Sequence, residues 1–203
     1  MIAAPSMAAL LADMGADVIK VEPLTGDILR QSVQNDPDVP DPYWELDNRG
    51  KRGIAVDLSQ ADGVAVVHRL AASADVFVTN FTIDRMTRFR LTAADLAAVA
   101  PRCIHASFSG YGSAGPEASR LAYDMTAFFA RGGVQGLVSD PGGPPPAFRP
   151  GQGDHTSALA LLSATLAALR RRAATGVGEL VEVAQAENLL QYIGEYLIDT
   201  SMT

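Results

Sequence analysis

Short runs rich in Val and Ile recur along this chain, and most are separated by sequence that reads as helix. "ADVIKVE" (Ala16–Glu22), "GIAVDL" (Gly53–Leu58), "ADVFVTN" (Ala74–Asn80), "CIHASFSG" (Cys103–Gly110) and "GELVEVAQ" (Gly178–Gln185) have the length and composition of strands. Helices are predicted over Pro5–Gly15, Gln60–Ser73, Thr92–Val99, Tyr123–Arg131, Asp154–Arg172 and Ala186–Asp199. In Gln60–Ser73, Val64, Val67, Leu70 and Ala71 fall on one face. Alternation of this kind predicts an α/β, Rossmann-like fold: a mainly parallel sheet with helices on both faces. Such sheets bind ligands beyond the carboxyl ends of their strands. The loops to watch therefore begin at Glu22, Asn80 and Ser109, together with the stretch before Asp154. Pro23–Lys51 reads as one long polar, Pro-rich connection, and Gly132–Gly153 as a Gly/Pro-rich loop.

The remaining bulk properties mostly exclude. The 203 residues fit one large domain. The net charge of -7, without a basic tract, argues against a nucleic-acid partner. No run reaches the roughly 18 to 20 apolar residues that span a bilayer, so no membrane partner is expected. No secretory signal is read at the N-terminus, and the single cysteine, Cys103, permits no internal disulfide. A cytoplasmic location follows as the default, with Cys103 as a small buried hydrophobe. His68, His105 and His155 are far apart in sequence, so no metal is expected. His68 reads as a surface residue and His105 as a buried histidine with its hydrogen bonds met. Phosphate-loop, dinucleotide and nucleophile-elbow signatures are absent.

The residue that asks for chemistry is Asp154 in "FRPGQGDHTSALALLSATLAAL". As an N-cap it would accept bonds from the first-turn amides and sit at the positive end of the helix dipole, and both effects would keep it ionised. The same fixed carboxylate, beside Gly151 and Gly153, also suits covalent catalysis on an acyl group. The residues alone leave cap and nucleophile both open.

Six ordered stretches resemble the class III CoA-transferase family, also called the CaiB/BaiF family. "LLADMGADVIKVEPLTGD", "DNRGKRGIAVDL", "ADVFVTNF", "ASFSGYGSAGP", "LAYDMTAFFARGG" and "TGVGELVEVAQAE" are similar to its motifs, in its order. The family includes formyl-CoA and carnitine CoA-transferases and α-methylacyl-CoA racemases. The resemblance implies that residues 1–203 form a truncated large, CoA-binding domain, the N-terminal half of a family chain without its first strand and second domain. It implies a CoA-transferase with Asp154 as nucleophile, carrying CoA from an acyl-CoA donor to a carboxylic acid acceptor through an aspartyl-CoA thioester. By the same resemblance Val56, Asn80, Phe81, Arg88, Phe89 and Tyr123 contact coenzyme A. Arg88 would meet a phosphate, Phe89 would pack near the adenine, and Tyr123 would lie beside the thioester. Racemases of the family carry a histidine where this chain has Tyr123. A phenol with an ordinary pKa near 10 is a poor base at neutral pH, which favours the transferase over the racemase.

The chain departs from the pattern at "TNFTIDR", where Thr82, Ile83 and Asp84 replace a basic-Pro-Gly turn, and at Pro23, which stands where relatives carry an adenine-binding arginine. Family dimers are interlocked, so the resemblance implies a homodimer or a pair with a second chain that supplies the missing half. The further alternative is a non-catalytic assembly half of a split transferase.

Overall fold

The computed structural model describes residues 2–30 and 41–201. The middle of the predicted Pro23–Lys51 connection thus lies outside the described residues. The elements are, in chain order, α1 (Ala3–Asp13), β1 (Val18–Glu22), a 3-10 turn (Ile28–Arg30), α2 (Pro42–Asn48), β2 (Lys51–Ala55), α3 (Ala61–Ser73) and β3 (Val76–Thr79). They continue with α4 (Ile83–Arg88), α5 (Ala93–Val99), β4 (Ile104–Ser109), a π-helical segment (Met125–Arg131) and α6 (Val134–Leu137). The last are α7 (Gln152–Thr175), β5 (Leu180–Ala184), α8 (Gln185–Asn188) and α9 (Leu190–Ser201).

Among the described residues every strand pairing is parallel, as predicted, but the strands form two ladders rather than one sheet. β1 pairs with β2 in the register Val18 to Lys51. β3, β4 and β5 form a three-stranded sheet in that order, with Val76 opposite Ile104 and His105 opposite Leu180. Period-two alternation sends β4 side chains to opposite faces. Ile104, Ala106 and Phe108 pack with Met7 of α1 and Ala158, Leu161 and Leu162 of α7. On the other face Phe77 joins Val67 and Ala71 of α3, Met86 of α4 and Leu96 of α5. Each face of the sheet thus has its own helical layer and its own core.

Local signals explain most boundaries. Thr92 opens α5 with a reciprocal capping box to Asp95. Asp41 caps α2 by accepting from the amides of Tyr43 and Trp44, with Pro42 in the first turn. This helix stands inside what reads as a Pro-rich connection; the clustered prolines mask a start signal that is complete. The 3-10 turn and α2 meet through Arg30, whose guanidinium lies 3.7 Å from the ring centre of Trp44. Arg30 also donates from Nε and Nη2 to the two carboxylate oxygens of buried Glu22 at the end of β1, at 2.8 Å each. The guanidinium holds the Glu22 carboxyl below the ordinary range.

Two predictions about buried side chains divide. Cys103 is buried, and burial pushes its thiol up to about 11, so it is an inert hydrophobe. His105 is buried too, but neither ring nitrogen has a hydrogen-bond partner among the described residues. Its ring stands edge-on to Phe77 at 5.5 Å between centroids, and burial pushes its pKa down to about 4. The expected satisfied histidine is instead a neutral ring used for packing.

Candidate active site

The long helix α7 does not begin where the sequence suggests. Gly151 is its N-cap, in the left-handed region at φ +92°, and the helix starts at Gln152. Only glycine takes that conformation without strain. Asp154 is therefore the third helical residue and makes no capping bond, which overturns the cap reading. Its Oδ1 accepts from Nε2 of Gln185 at 3.1 Å. Among the described residues Oδ2 accepts no hydrogen bond.

The helix start does not hold the Asp154 carboxyl in the ordinary carboxylate range, although the group stays mostly ionised at neutral pH. Its pKa is raised from 3.8 to about 6, first by burial and then by the carboxylate of Asp124. The helix dipole favours the anion, but loss of water and a like charge outweigh it. Asp124 is 4% exposed and stands just before the π-helical segment. Its Oδ2 accepts from the Gly151 amide at 2.6 Å, and Oδ1 accepts from the Met125 amide. One carboxylate thus fixes the turn that delivers the other.

Gly153 brings the start of α7 against the π-helical segment. A Cβ on Gly153 would fall 2.6 Å from the Phe128 side chain, so no larger residue fits without rearrangement. Beyond Asp154 the imidazole of His155 meets Asp47 of α2, with Nε2 and Oδ1 3.0 Å apart. Asp47 is fully buried.

The site lies at the carboxyl edge of the three-stranded sheet. Gln185 is the first residue after β5, and Asn80 the first after β3. The parallel register, with Thr79 opposite Ser107 and Ser109 opposite Ala184, carries both to the same edge. Asn80 is exposed. Phe81 and Phe89 are half-buried and pack on each other at 5.7 Å between centroids. Exposed Arg88 lies 5.6 Å from the centre of the Phe89 ring. Val56 directs its side chain into the core beneath α3, where it is 7% exposed, and so offers a ligand mainly its backbone. Tyr123 is 64% exposed, immediately before Asp124.

Sequence reasoning missed four residues here. Arg85, one turn before Arg88 on α4, lies 5.6 Å from the Phe81 ring centre. Asp124 lies in the "LAYDMTAFF" stretch directly after Tyr123, with no local signal that it is buried. Gln185 follows a strand directly, in the position where α/β sites are built. Asp47 carries no local signal, since its partner is 108 residues away.

Comparison with known proteins identifies the family. The profile of CoA-transferase family III matches residues 1–203, the whole chain. The chain belongs to that family. A (R)-2-hydroxy-4-methylpentanoate CoA-transferase of Clostridioides difficile is 38% identical over 189 residues, 90% of this chain and 47% of the relative. A cinnamoyl-CoA:phenyllactate CoA-transferase of Clostridium sporogenes is 33% identical, over 95% of this chain and 48% of its own. Among solved structures, a CaiB/BaiF family protein from Brucella suis superimposes with a TM-score of 0.90 at 30% identity, over 100% of this chain and 54% of its own. The chain spans about half the length of the curated relatives it matches.

Proposed function

We propose that this chain supplies the nucleophile and the CoA-binding surface of a CoA-transferase, with residues 1–203 as part of its large domain. Asp154 carries the reading: a half-buried carboxylate with a pKa raised to about 6 and one oxygen free of hydrogen bonds among the described residues. At neutral pH it is mostly ionised, yet poorly solvated and more basic than an ordinary carboxylate, which suits a nucleophile.

The reaction balances as four acyl transfers. Asp154 attacks the thioester carbonyl of the donor and expels CoA thiolate, leaving a mixed anhydride. The thiolate attacks the Asp154 carbonyl of that anhydride and releases the donor acid, leaving an aspartyl-CoA thioester. The acceptor carboxylate attacks this thioester and expels the thiolate again, giving a second anhydride. The thiolate then attacks the acceptor carbonyl, and Asp154 returns as the free carboxylate. No water enters and no high-energy bond is lost.

In this reading Gln185 orients Asp154 and offers N–H density to charge developing near Oδ1. Asn80, Phe81 and Phe89 flank the CoA at the sheet edge, with backbone at Val56. Arg88, joined by Arg85, meets phosphate, and Tyr123 borders the thioester. The carboxylic acid class is drawn from the relatives, so 2-hydroxy acids are the first acceptors to try. Exposed apolar side chains at Leu121, Leu137 and Val138 support assembly with a second copy or a chain carrying the rest of a family-length enzyme.

The test is to incubate the chain with cinnamoyl-CoA, trap with hydroxylamine and map the product by mass spectrometry. A hydroxamate on Asp154, absent from Asp154→Asn, is expected. An unlabelled Asp154, or equal trapping by the variant, rejects the assignment.

A further inference from the structure

Asp47 and His155, 108 residues apart in the chain, meet beside the start of α7, where His155 directly follows the nucleophile, and neither has a role in the four transfers above. Asp47 is wholly enclosed, and its Oδ2 has no hydrogen-bond partner among the described residues. A carboxylate so placed is costly unless a cation faces it. Its Oδ1 faces Nε2 of His155 at 3.0 Å. The nearest lysine does not meet the carboxylate: Nζ of Lys51 donates instead to the carbonyls of Asp47 and Pro5 and to Oδ1 of Asn48.

We propose that Asp47 holds His155 as a fixed cation, and that this cation makes His155 the positioning residue that keeps Asp154 anionic. The inference rests on the reading of Asp154 as nucleophile and adds a device that controls it.

The charges around the imidazole agree on its state. Asp47 faces it from α2, Asp154 precedes it on α7, and the Gly151 carbonyl also favours its protonated form. Asp124 is fixed on the Gly151 amide, at the same turn. On the cationic side stand Lys51, at the start of β2, and Arg49, which is engaged by Asp13. Burial pushes Lys51 down to about 7, with Lys20 acting in the same direction and Asp47 against them, so near neutrality Lys51 carries part of a charge while His155 alone meets the carboxylate through a hydrogen bond. The pKa of His155 is accordingly raised, with the Asp47 hydrogen bond as the first cause.

Asp154 thus lies between opposed neighbours. Burial and Asp124 drive it towards the neutral acid, and the chain's amino group, then His155 and the Gln185 hydrogen bond, draw it back towards the anion. Opposite unit charges on adjacent residues, in a medium of effective dielectric about 20, interact enough to move a midpoint by roughly one to two pH units. His155→Gln is therefore expected to raise the Asp154 midpoint by about that amount.

The experiment follows the Asp154 carboxyl by carbon NMR in aspartate-labelled full chain, with the signal assigned through Asp154→Asn. His155→Gln should raise the midpoint, and His155→Lys, which restores a cation, should return it towards the native value. Asp47→Asn should lower the His155 titration and raise that of Asp154. An unchanged or lowered Asp154 midpoint in folded His155→Gln overturns the proposal. If His155→Gln does not fold, the Lys and Asp47→Asn variants decide it by the same shifts. The cinnamoyl-CoA trap separates the two readings. A shifted midpoint with no label on Asp154 upholds the coupling and rejects the nucleophile. Label with no shift upholds the nucleophile and rejects the coupling.

Discussion

Replacing Asp154 by Asn should abolish the covalent step and, at the same time, make the folded chain more stable. A carboxyl lifted from 3.8 to about 6 on folding is worth about 3 kcal/mol against the charged folded form if it is wholly sealed from water. Asp154 is only half-buried, so about 1–2 kcal/mol is the reasonable share. Asparagine keeps the shape and still accepts from Gln185, so the substitution removes the charge without opening a cavity. The sign follows from linkage. The folded state binds the proton more tightly than the unfolded one, so stability from this group is full below about 3.8. It is lost as pH rises through about 6. Asp154→Asn should therefore gain its 1–2 kcal/mol at pH 8, about 2–8 °C in Tm for a chain of this size. The gain over the parent should fade towards pH 4. Thermal melts of both proteins across that range measure it. A variant no more stable at pH 8, or one whose advantage persists undiminished at pH 4, would refute burial and like charge as the source of the raised pKa.

Asp124→Asn removes the like charge but can still accept the Gly151 amide through its amide oxygen. The acid midpoint for labelling Asp154 should fall below about 6, measured as trapped product against pH. Gly153→Ala forces a Cβ to 2.6 Å from Phe128 and should cost about 1–3 kcal/mol, read as a lower urea midpoint, with labelling impaired because the start of α7 is displaced.

The order of strands and helices was legible because hydrophobic period and Val/Ile content are local properties. So was the edge of the sheet where Asn80 and Asp154 fall, since parallel connectivity dictates it. The start of α7 was not legible. It depends on a left-handed Gly151 held by Asp124, a contact 27 residues away. With Gly151 as cap, Asp154 moves one turn into the helix and loses the cap role that its residue type suggests. The predicted Ala186–Asp199 helix divides at Leu189 into α8 and α9, and its first turn begins at Gln185, which the strand pattern had claimed. The raised pKa of Asp154 was hidden for the same reason as the Asp47–His155 pair. Both arise from side chains that only the folded chain brings together.

The clasp of Glu22, Arg30 and Trp44 ties the helix that carries Asp47 to the end of β1 by an ion pair and a ring contact. One guanidinium serves both partners, so a change at Arg30 loses the two contacts together, whereas a change at Glu22 or Trp44 loses one. Lysine is no substitute there, because a point charge cannot bridge both carboxylate oxygens and stack on the ring at once.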